Sequence, residues 1–102
     1  MTPPGRPMAA WHLLISGRVQ GVGFRWSMCA AAIEHGALGW VRNRRDGRVE
    51  AVVDGAPQAV AAMLAWAQHG PRAARVESVE KRPATAAEAV MVGAGFEALP
   101  DA

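Results

Sequence analysis

The sequence has few of the residues that support disulfide, metal or membrane chemistry. Its 102 residues include one cysteine, Cys29, and no tyrosine. A lone cysteine cannot form an internal disulfide. Zinc sites need several ligands at set spacings, and His12 and His69 do not belong to such a pattern. The apolar runs are far shorter than the roughly 20 residues of a membrane span, and the first residues, MTPPGRP, do not resemble a signal peptide. We therefore expect a cytoplasmic, single-domain protein with no cofactor, no metal and no membrane partner.

Acidic residues are scarce in the first half of the chain. Positions 1–48 hold seven arginines against two acids, whereas positions 49–102 hold four basic residues against seven acids. A basic half can attract an anion, although such a surplus is more often only a solvated surface. Charge alone therefore leaves both a small anion and a nucleic acid open as ligands.

Apolar periodicity and breakers predict the order strand, helix, strand, strand, helix, strand, with a short last strand left open. This order favours an α+β, ferredoxin-like βαββαβ sandwich, in which two helices cover one face of an antiparallel sheet. The Pro-rich residues 1–10 are interpreted as a flexible N-terminal tail and residues 11–99 as the domain. The predicted strands are 11–16, 38–44, 48–53, 74–82 and 96–99, and the helices begin at Phe24 and Pro57 and end at Gly36 and at Gly70-Pro71.

Three glycines lie within seven positions in the segment GRVQGVGFR, residues 17–25, between the first strand and the first helix. Gly21 and Gly23 would allow main-chain N–H groups to face one concavity, and the helix N-terminus adds a partial positive charge. Arg25 lies in the first helical turn, where a cation opposes the helix dipole, so a binding role is indicated. The segment matches neither a Walker loop nor a Rossmann fingerprint. From these residues alone, an oxyanion site and a plain glycine turn remain equally open.

Segment 17–25 closely resembles the signature loop of the acylphosphatase family. The second family signature is similar to GWVRNRRDGRVE at 39–50, and shorter likenesses occur at 70–76 and 95–97. The resemblance covers roughly residues 11–99 in matching order. Two long motifs at the right separation are more specific than one short pattern.

The resemblance implies hydrolysis of acyl phosphates to carboxylate and inorganic phosphate without a metal. It also implies that the loop amides and Arg25 bind the phosphate, and that Asn43 positions the attacking water. Inorganic phosphate is then expected as product and inhibitor, and a monomer is expected. The loop residues concerned are Gln20, Gly21, Val22, Gly23 and Phe24.

Several alternatives stay open at this point. Asp46-Gly47 between strands 38–44 and 48–53 predicts a hairpin, and Asn43 could be a structural residue of it. The arginines at 42, 44, 45 and 48 are interpreted as a solvated rim that can steer anions inward. The rival functions are a non-catalytic anion-binding or nucleic-acid-binding module on the same fold, and an acylphosphatase-like domain of a larger carbamoyl-phosphate-handling enzyme. An RNA-binding sheet would need aromatic residues in a pattern that is not visible here, so nucleic acid is not the expected partner.

Overall fold

The structure is a computed structural model and describes residues 10–102. The predicted tail therefore lies outside the described residues except for Ala10. The elements are β1 (Trp11–Arg18), α1 (Phe24–His35), β2 (Leu38–Asn43), β3 (Val49–Asp54), α2 (Pro57–Ala67), β4 (Arg75–Pro83), α3 (Ala86–Ala89) and β5 (Phe96–Ala98).

The strands form one five-stranded sheet in the order β4-β1-β3-β2-β5. The pairings β4–β1, β1–β3 and β3–β2 are antiparallel, as the predicted ferredoxin-like fold requires. The short β5 runs parallel to β2, so the sheet is mixed rather than wholly antiparallel. The predicted fold class is confirmed, with α3 and β5 added after the βαββαβ unit.

Alternation along the strands separates the two faces of the sheet. Leu13 and Ile15 of β1 are fully buried in the core that α1 and α2 cover, whereas His12 is buried outside that core cluster. The helices contribute their apolar stripes at Phe24, Met28, Ala31, Ala32, Ala59, Val60, Met63 and Ala67. The core therefore lies between the sheet and these two helices.

The local signals predicted from the sequence lie where expected. Gly36 ends α1 in the left-handed conformation (φ 73°), and Pro57 occupies the first turn of α2. β4 contains a bulge, because its register against β1 shifts between Ser16 and Gly17, which pair with Ser78 and Val76.

The segment between β4 and β5, which the sequence pattern left unassigned, contains the short helix α3. Thr85 and Glu88 form a reciprocal capping box at its start. The indole of Trp40 donates to the main-chain oxygen of Glu88 (3.1 Å), and Trp40 is fully buried. This segment therefore covers part of the sheet face that lies opposite α1 and α2.

Gly39 allows an unusually close approach within the sheet. Its φ is +143°, and a Cβ at this position would lie 1.8 Å from the main-chain oxygen of Val52. No side chain can be accommodated there without moving β2 away from β3.

No helix within residues 10–102 has the length and apolar character needed to cross a membrane.

Candidate active site

The Gly-rich loop leads directly into α1, and no side chain caps the first main-chain N–H groups of this helix. Gly21 and Gly23 both have φ 76°, which favours glycine, and a Cβ on either would meet nothing within 4 Å. Gly23 is the N-cap of α1, without a side-chain cap, and the first helical bond runs from the Ser27 N–H to its carbonyl. The preceding N–H groups have no acceptor within the helix, so this end of α1 is suited to an anion.

Arg25 extends from the first turn of α1 and meets a carboxylate from the far end of the chain. Its Nη1 donates to Oδ1 of Asp101 at 3.2 Å. The side chains of Arg25 and Asp101 are 40% and 64% exposed, so the ion pair is only a weak constraint. The guanidinium keeps further N–H donors for a ligand.

Asn43 is the last residue of β2, opposite Val49 of β3. Its main-chain oxygen accepts from the Ala102 N–H (2.9 Å), and the Leu99 N–H donates to Val41 (2.8 Å). Residues 99–102 therefore continue along β2, which places Asp101 beside Arg25. Among residues 10–102, the Asn43 side-chain amide forms no hydrogen bond and is available to a ligand or a water molecule.

These groups line one cavity of about 400 Å³. Of the seven site residues predicted from the sequence, five line it, namely Gly21, Gly23, Phe24, Arg25 and Asn43. Four further residues, which the sequence reasoning did not place there, complete the lining: Val19, Trp26, Cys29 and Ala98. Ala98 reaches the cavity through the docking of β5 beside β2, for which the sequence carries no local signal.

Gln20 and Val22 do not line the cavity. The Gln20 side chain donates through Nε2 to the carbonyls of Arg44 (2.7 Å) and Arg48 (2.9 Å). It therefore ties the Gly-rich loop to the β2–β3 hairpin that carries Asn43. Val22 packs against the hydrophobic core. A role of their main-chain amides in phosphate binding stays a prediction.

Phe24 contributes to the cavity wall but is anchored in the core. It is 2% exposed and packs edge-to-face on Trp66, with ring centroids 5.2 Å apart. The side chain thus fixes the first turn of α1 against α2.

Cys29 lies one turn after Trp26 on α1. Burial raises the pKa of the Cys29 thiol, and the nearby charge of Arg25 opposes this only in part. The thiol is therefore neutral at ordinary pH and forms an apolar part of the wall.

Three of the four arginines at 42, 44, 45 and 48, in the β2–β3 hairpin, form ion pairs, so they are less solvated than the sequence predicts. Arg42 donates to Glu50 (2.8 Å) and stacks on Trp40, while Arg44 lies 3.3 Å from the same carboxylate. Arg48 donates to Asp46 at 2.6 Å, and this hydrogen bond lowers the pKa of the Asp46 carboxyl to about 2. These acids neutralise much of the local surplus, so long-range steering by the hairpin is weaker than the sequence suggests.

His12 has partners that the sequence pattern did not reveal. It is 4% exposed, and its Nε2 donates to Oε2 of Glu50 (2.7 Å) and lies 3.7 Å from Oε2 of Glu88. Burial raises the pKa of Glu50, but the hydrogen bonds from His12 and Arg42 outweigh it and lower that pKa overall.

These three ligand atoms lie within 4.8 Å of one another, the spacing of a candidate metal group. However, Glu50 is paired with Arg42 and Arg44, and Glu88 is paired with Arg82. A divalent ion there would displace or face these guanidinium groups, so the arrangement is better suited to a buried ionic network than to a metal centre.

The fold and the cavity together define a small α+β protein of ferredoxin-like fold with a candidate anion pocket at its first strand–helix turn. The acylphosphatase family model matches residues 11–97. The chain belongs to the acylphosphatase family.

Curated relatives agree with this assignment. An acylphosphatase from Thermococcus kodakarensis is 59% identical over 69 residues, which are 68% of this chain and 76% of that protein. An acylphosphatase from Nitrobacter hamburgensis is 51% identical over 91 residues, 87% of this chain and 92% of that protein.

Solved structures have the same fold. An acylphosphatase from Coxiella burnetii superposes with a TM-score of 0.81 at 31% identity, covering 97% of this chain and 100% of that one. An acylphosphatase from Bacillus subtilis gives 0.80 at 29% identity, covering 90% and 99%. HypF from T. kodakarensis also matches (TM-score 0.76, 30% identity), but this chain covers only 12% of that protein.

Proposed function

We propose that the protein is an acid-anhydride hydrolase that cleaves the carboxyl–phosphate bond of acyl phosphates. The observation that carries the proposal is that the glycine loop, Arg25 and Asn43 line the same cavity. A positive helix terminus and a guanidinium supply the charge that a phosphoryl group needs, and the side-chain amide of Asn43 supplies a group that can hold water. Family membership supports the same chemistry.

In the proposed reaction the loop amides and Arg25 bind the phosphoryl oxygens, and Asn43 orients a water molecule toward the phosphorus. The water oxygen forms a bond to phosphorus while the bond to the bridging oxygen breaks, and the carboxylate leaves with that electron pair. Of the two protons of the attacking water, one stays on the new P–OH group, and the other passes to a phosphate oxygen or to solvent. Such transfer depends mainly on positioning and charge stabilisation.

The leaving group explains why the proposed mechanism uses no general acid. A carboxylate is weakly basic and can depart without a proton, and the guanidinium and the amide assigned to phosphate and water act as hydrogen-bonding groups rather than as proton donors to the leaving group. We therefore expect a metal-independent rate that varies weakly between about pH 5 and pH 8. A cytoplasmic location, a monomeric state and the domain limits 11–99 stay predictions.

The direct test is hydrolysis of benzoyl phosphate, followed by absorbance, with and without EDTA. We expect equal turnover in both conditions and competitive inhibition by inorganic phosphate. Turnover that is lost to chelator and restored by zinc or magnesium would contradict the mechanism. No turnover above buffer would contradict the proposed function.

The sheet does not support the nucleic-acid alternative. Trp40 is fully buried under the α3 segment, and Trp11 is half-buried with the ammonium of Lys81 5.0 Å from its ring centre. Neither indole is presented as a stacking platform for bases, which RNA-binding sheets use. A binding assay with single-stranded RNA is expected to show no affinity at physiological salt.

The alternative of an acylphosphatase-like domain of a larger carbamoyl-phosphate-handling enzyme is tested with carbamoyl phosphate as a second substrate. Carbamoyl phosphate has the same phosphoryl group and a small acyl portion, so the proposed phosphate contacts would accept it. Comparing its turnover with that of benzoyl phosphate distinguishes a carbamoyl-phosphate domain from a general acylphosphatase.

A further inference from the structure

Part of the cavity wall is apolar and is not used by the proposed phosphate contacts. Its volume of about 400 Å³ falls in the range of pockets that bind whole small molecules, roughly 300–1,000 Å³. A phosphoryl group held by the loop and Arg25 would fill only one end. The remaining wall consists of Val19, Trp26, Cys29 and Ala98.

Trp26 is the largest side chain of this wall, and it is strongly exposed. It is 79% exposed although it immediately follows Arg25 in the first turn of α1. An indole exposed to water does not gain the favourable free energy that burial gives to most aromatic side chains. An apolar ligand group in the cavity would cover it.

The neighbours of Trp26 extend the same surface. Cys29 lies one turn further along α1, and its thiol stays protonated because burial raises its pKa. Ala98, on β5, lines the cavity with a small side chain that leaves room for a ring. The apolar wall therefore begins beside the guanidinium that would bind the phosphoryl group.

We propose that this apolar wall is an acyl-group subsite and that Trp26 makes the enzyme prefer acyl phosphates with an aromatic acyl group over acetyl phosphate. The proposal rests on the proposed function, because the phosphoryl group must bind at the loop for the acyl group to reach Trp26. In an acyl phosphate the acyl carbon is separated from phosphorus by one oxygen, so both groups must lie in the same cavity. Stacking of a ring on the indole contributes binding that an acetyl group cannot provide.

The test measures kcat/KM for benzoyl phosphate and acetyl phosphate in the unmodified protein, Trp26→Ala, Trp26→Phe and Ala98→Leu. We expect Trp26→Ala to lower the benzoyl-to-acetyl ratio by about tenfold, and Trp26→Phe to restore most of it. Ala98→Leu should lower the same ratio by filling the space for the ring. The position is exposed, so the larger side chain should not disturb folding.

Ile33→Ala is the matched control, because Ile33 is 75% exposed on the same helix but does not line the cavity. It should leave the ratio unchanged. The proposal is overturned if Trp26→Ala leaves the ratio within twofold of the unmodified protein, or if Ile33→Ala lowers it equally. Either result would leave the proposed hydrolysis standing.

Failure of the proposed function has a different signature, which is the absence of turnover on both substrates. Calorimetric binding then tests the subsite independently, with benzylphosphonate and methylphosphonate as non-hydrolysable probes. Tighter binding of benzylphosphonate that Trp26→Ala abolishes would support the subsite. Equal binding of the two probes, or no binding of either, would overturn it.

Discussion

Alanine substitutions at Arg25 and Asn43 should separate phosphate binding from water positioning. Arg25→Ala removes the guanidinium and leaves the Asp101 carboxylate, now unpaired, beside the pocket. We expect weaker phosphate binding and slower turnover together, since the same charge acts on the ground state and the transition state. Asn43→Ala should lower kcat with little change in phosphate affinity, because its proposed ligand is the water.

The expected magnitudes follow from exposure and from hydrogen bonding. A hydrogen bond to a charged group contributes about 1.5–3 kcal/mol. Since the Arg25 side chain is 40% exposed, we take the lower limit for each of two bonds. The sum is about 3 kcal/mol, or roughly a hundredfold weaker binding of phosphate. For Asn43, deletion of one preorganised polar contact lowers kcat by about 10²–10³.

The assay combines phosphate titration with benzoyl phosphate turnover, and circular dichroism monitors folding. Both variants should fold, because the Asn43 side chain forms no hydrogen bond within residues 10–102 and Arg25 forms only an exposed ion pair. Arg25→Lys should recover little, since an ammonium lacks the planar fork. Arg45→Ala removes an equal charge from the exposed hairpin turn and should change neither constant by more than about threefold.

Two results would refute the assignment of roles. One is a near-normal kcat in Asn43→Ala, which would remove the water-positioning role. The other is a loss of phosphate affinity in Asn43→Ala as large as that in Arg25→Ala, which would make Asn43 a phosphate ligand.

Four other substitutions test the surroundings of the site. Gln20→Leu should lower the free energy of unfolding by about 1–3 kcal/mol in urea titrations, because two hairpin carbonyls lose their donor. Gly39→Ala should lower it by more than about 4 kcal/mol, or prevent folding, because the new Cβ meets the Val52 carbonyl. Asp101→Asn should tighten phosphate binding by at most about fivefold, since an exposed ion pair contributes up to about 1 kcal/mol. Glu88→Gln should weaken the fall in stability on acidification from pH 4.5 toward pH 2.

The sign of the last prediction follows from the direction of the pKa change. The hydrogen bond from Arg82 lowers the pKa of Glu88 from 4.5 to about 2 in the folded state. The unfolded chain therefore binds a proton first, so the stabilisation is present above about pH 4.5 and is lost as the pH falls toward 2. An acid denaturation profile identical in Glu88→Gln would contradict this.

The predictions for Gln20→Leu, Gly39→Ala and Asp101→Asn can each be contradicted by a specific result. Unchanged stability of Gln20→Leu would show that the loop is held without the hairpin contact. Gly47→Ala is the control for Gly39→Ala, because its Cβ would meet nothing within 4 Å, and equal losses in both would rule out the steric argument. A tenfold loss of turnover in Asp101→Asn would show that Asp101 orients Arg25 rather than competing with phosphate.

The sequence alone determined the elements of the βαββαβ unit and the fold class. Apolar periodicity, the left-handed glycine at 36 and Pro57 are local signals, and each acts through the conformation of a few neighbouring residues. The Gly-rich loop and Arg25 are also adjacent in the chain, so a candidate anion site could be recognised without knowing how distant segments pack. The sequence pattern did not predict α3 or the parallel pairing of β5, because both are short and depend on docking against the sheet.

Only the tertiary structure decided which distant residues meet around that loop. It brings Asn43 and Ala98 to the cavity, sets Asp101 against Arg25 across 76 positions of sequence, and engages the Gln20 side chain with the hairpin. These contacts arise from strand order and from the path of residues 99–102 along β2. The physical reason is that local patterns specify backbone conformation, whereas contacts between remote side chains depend on how completed elements pack together.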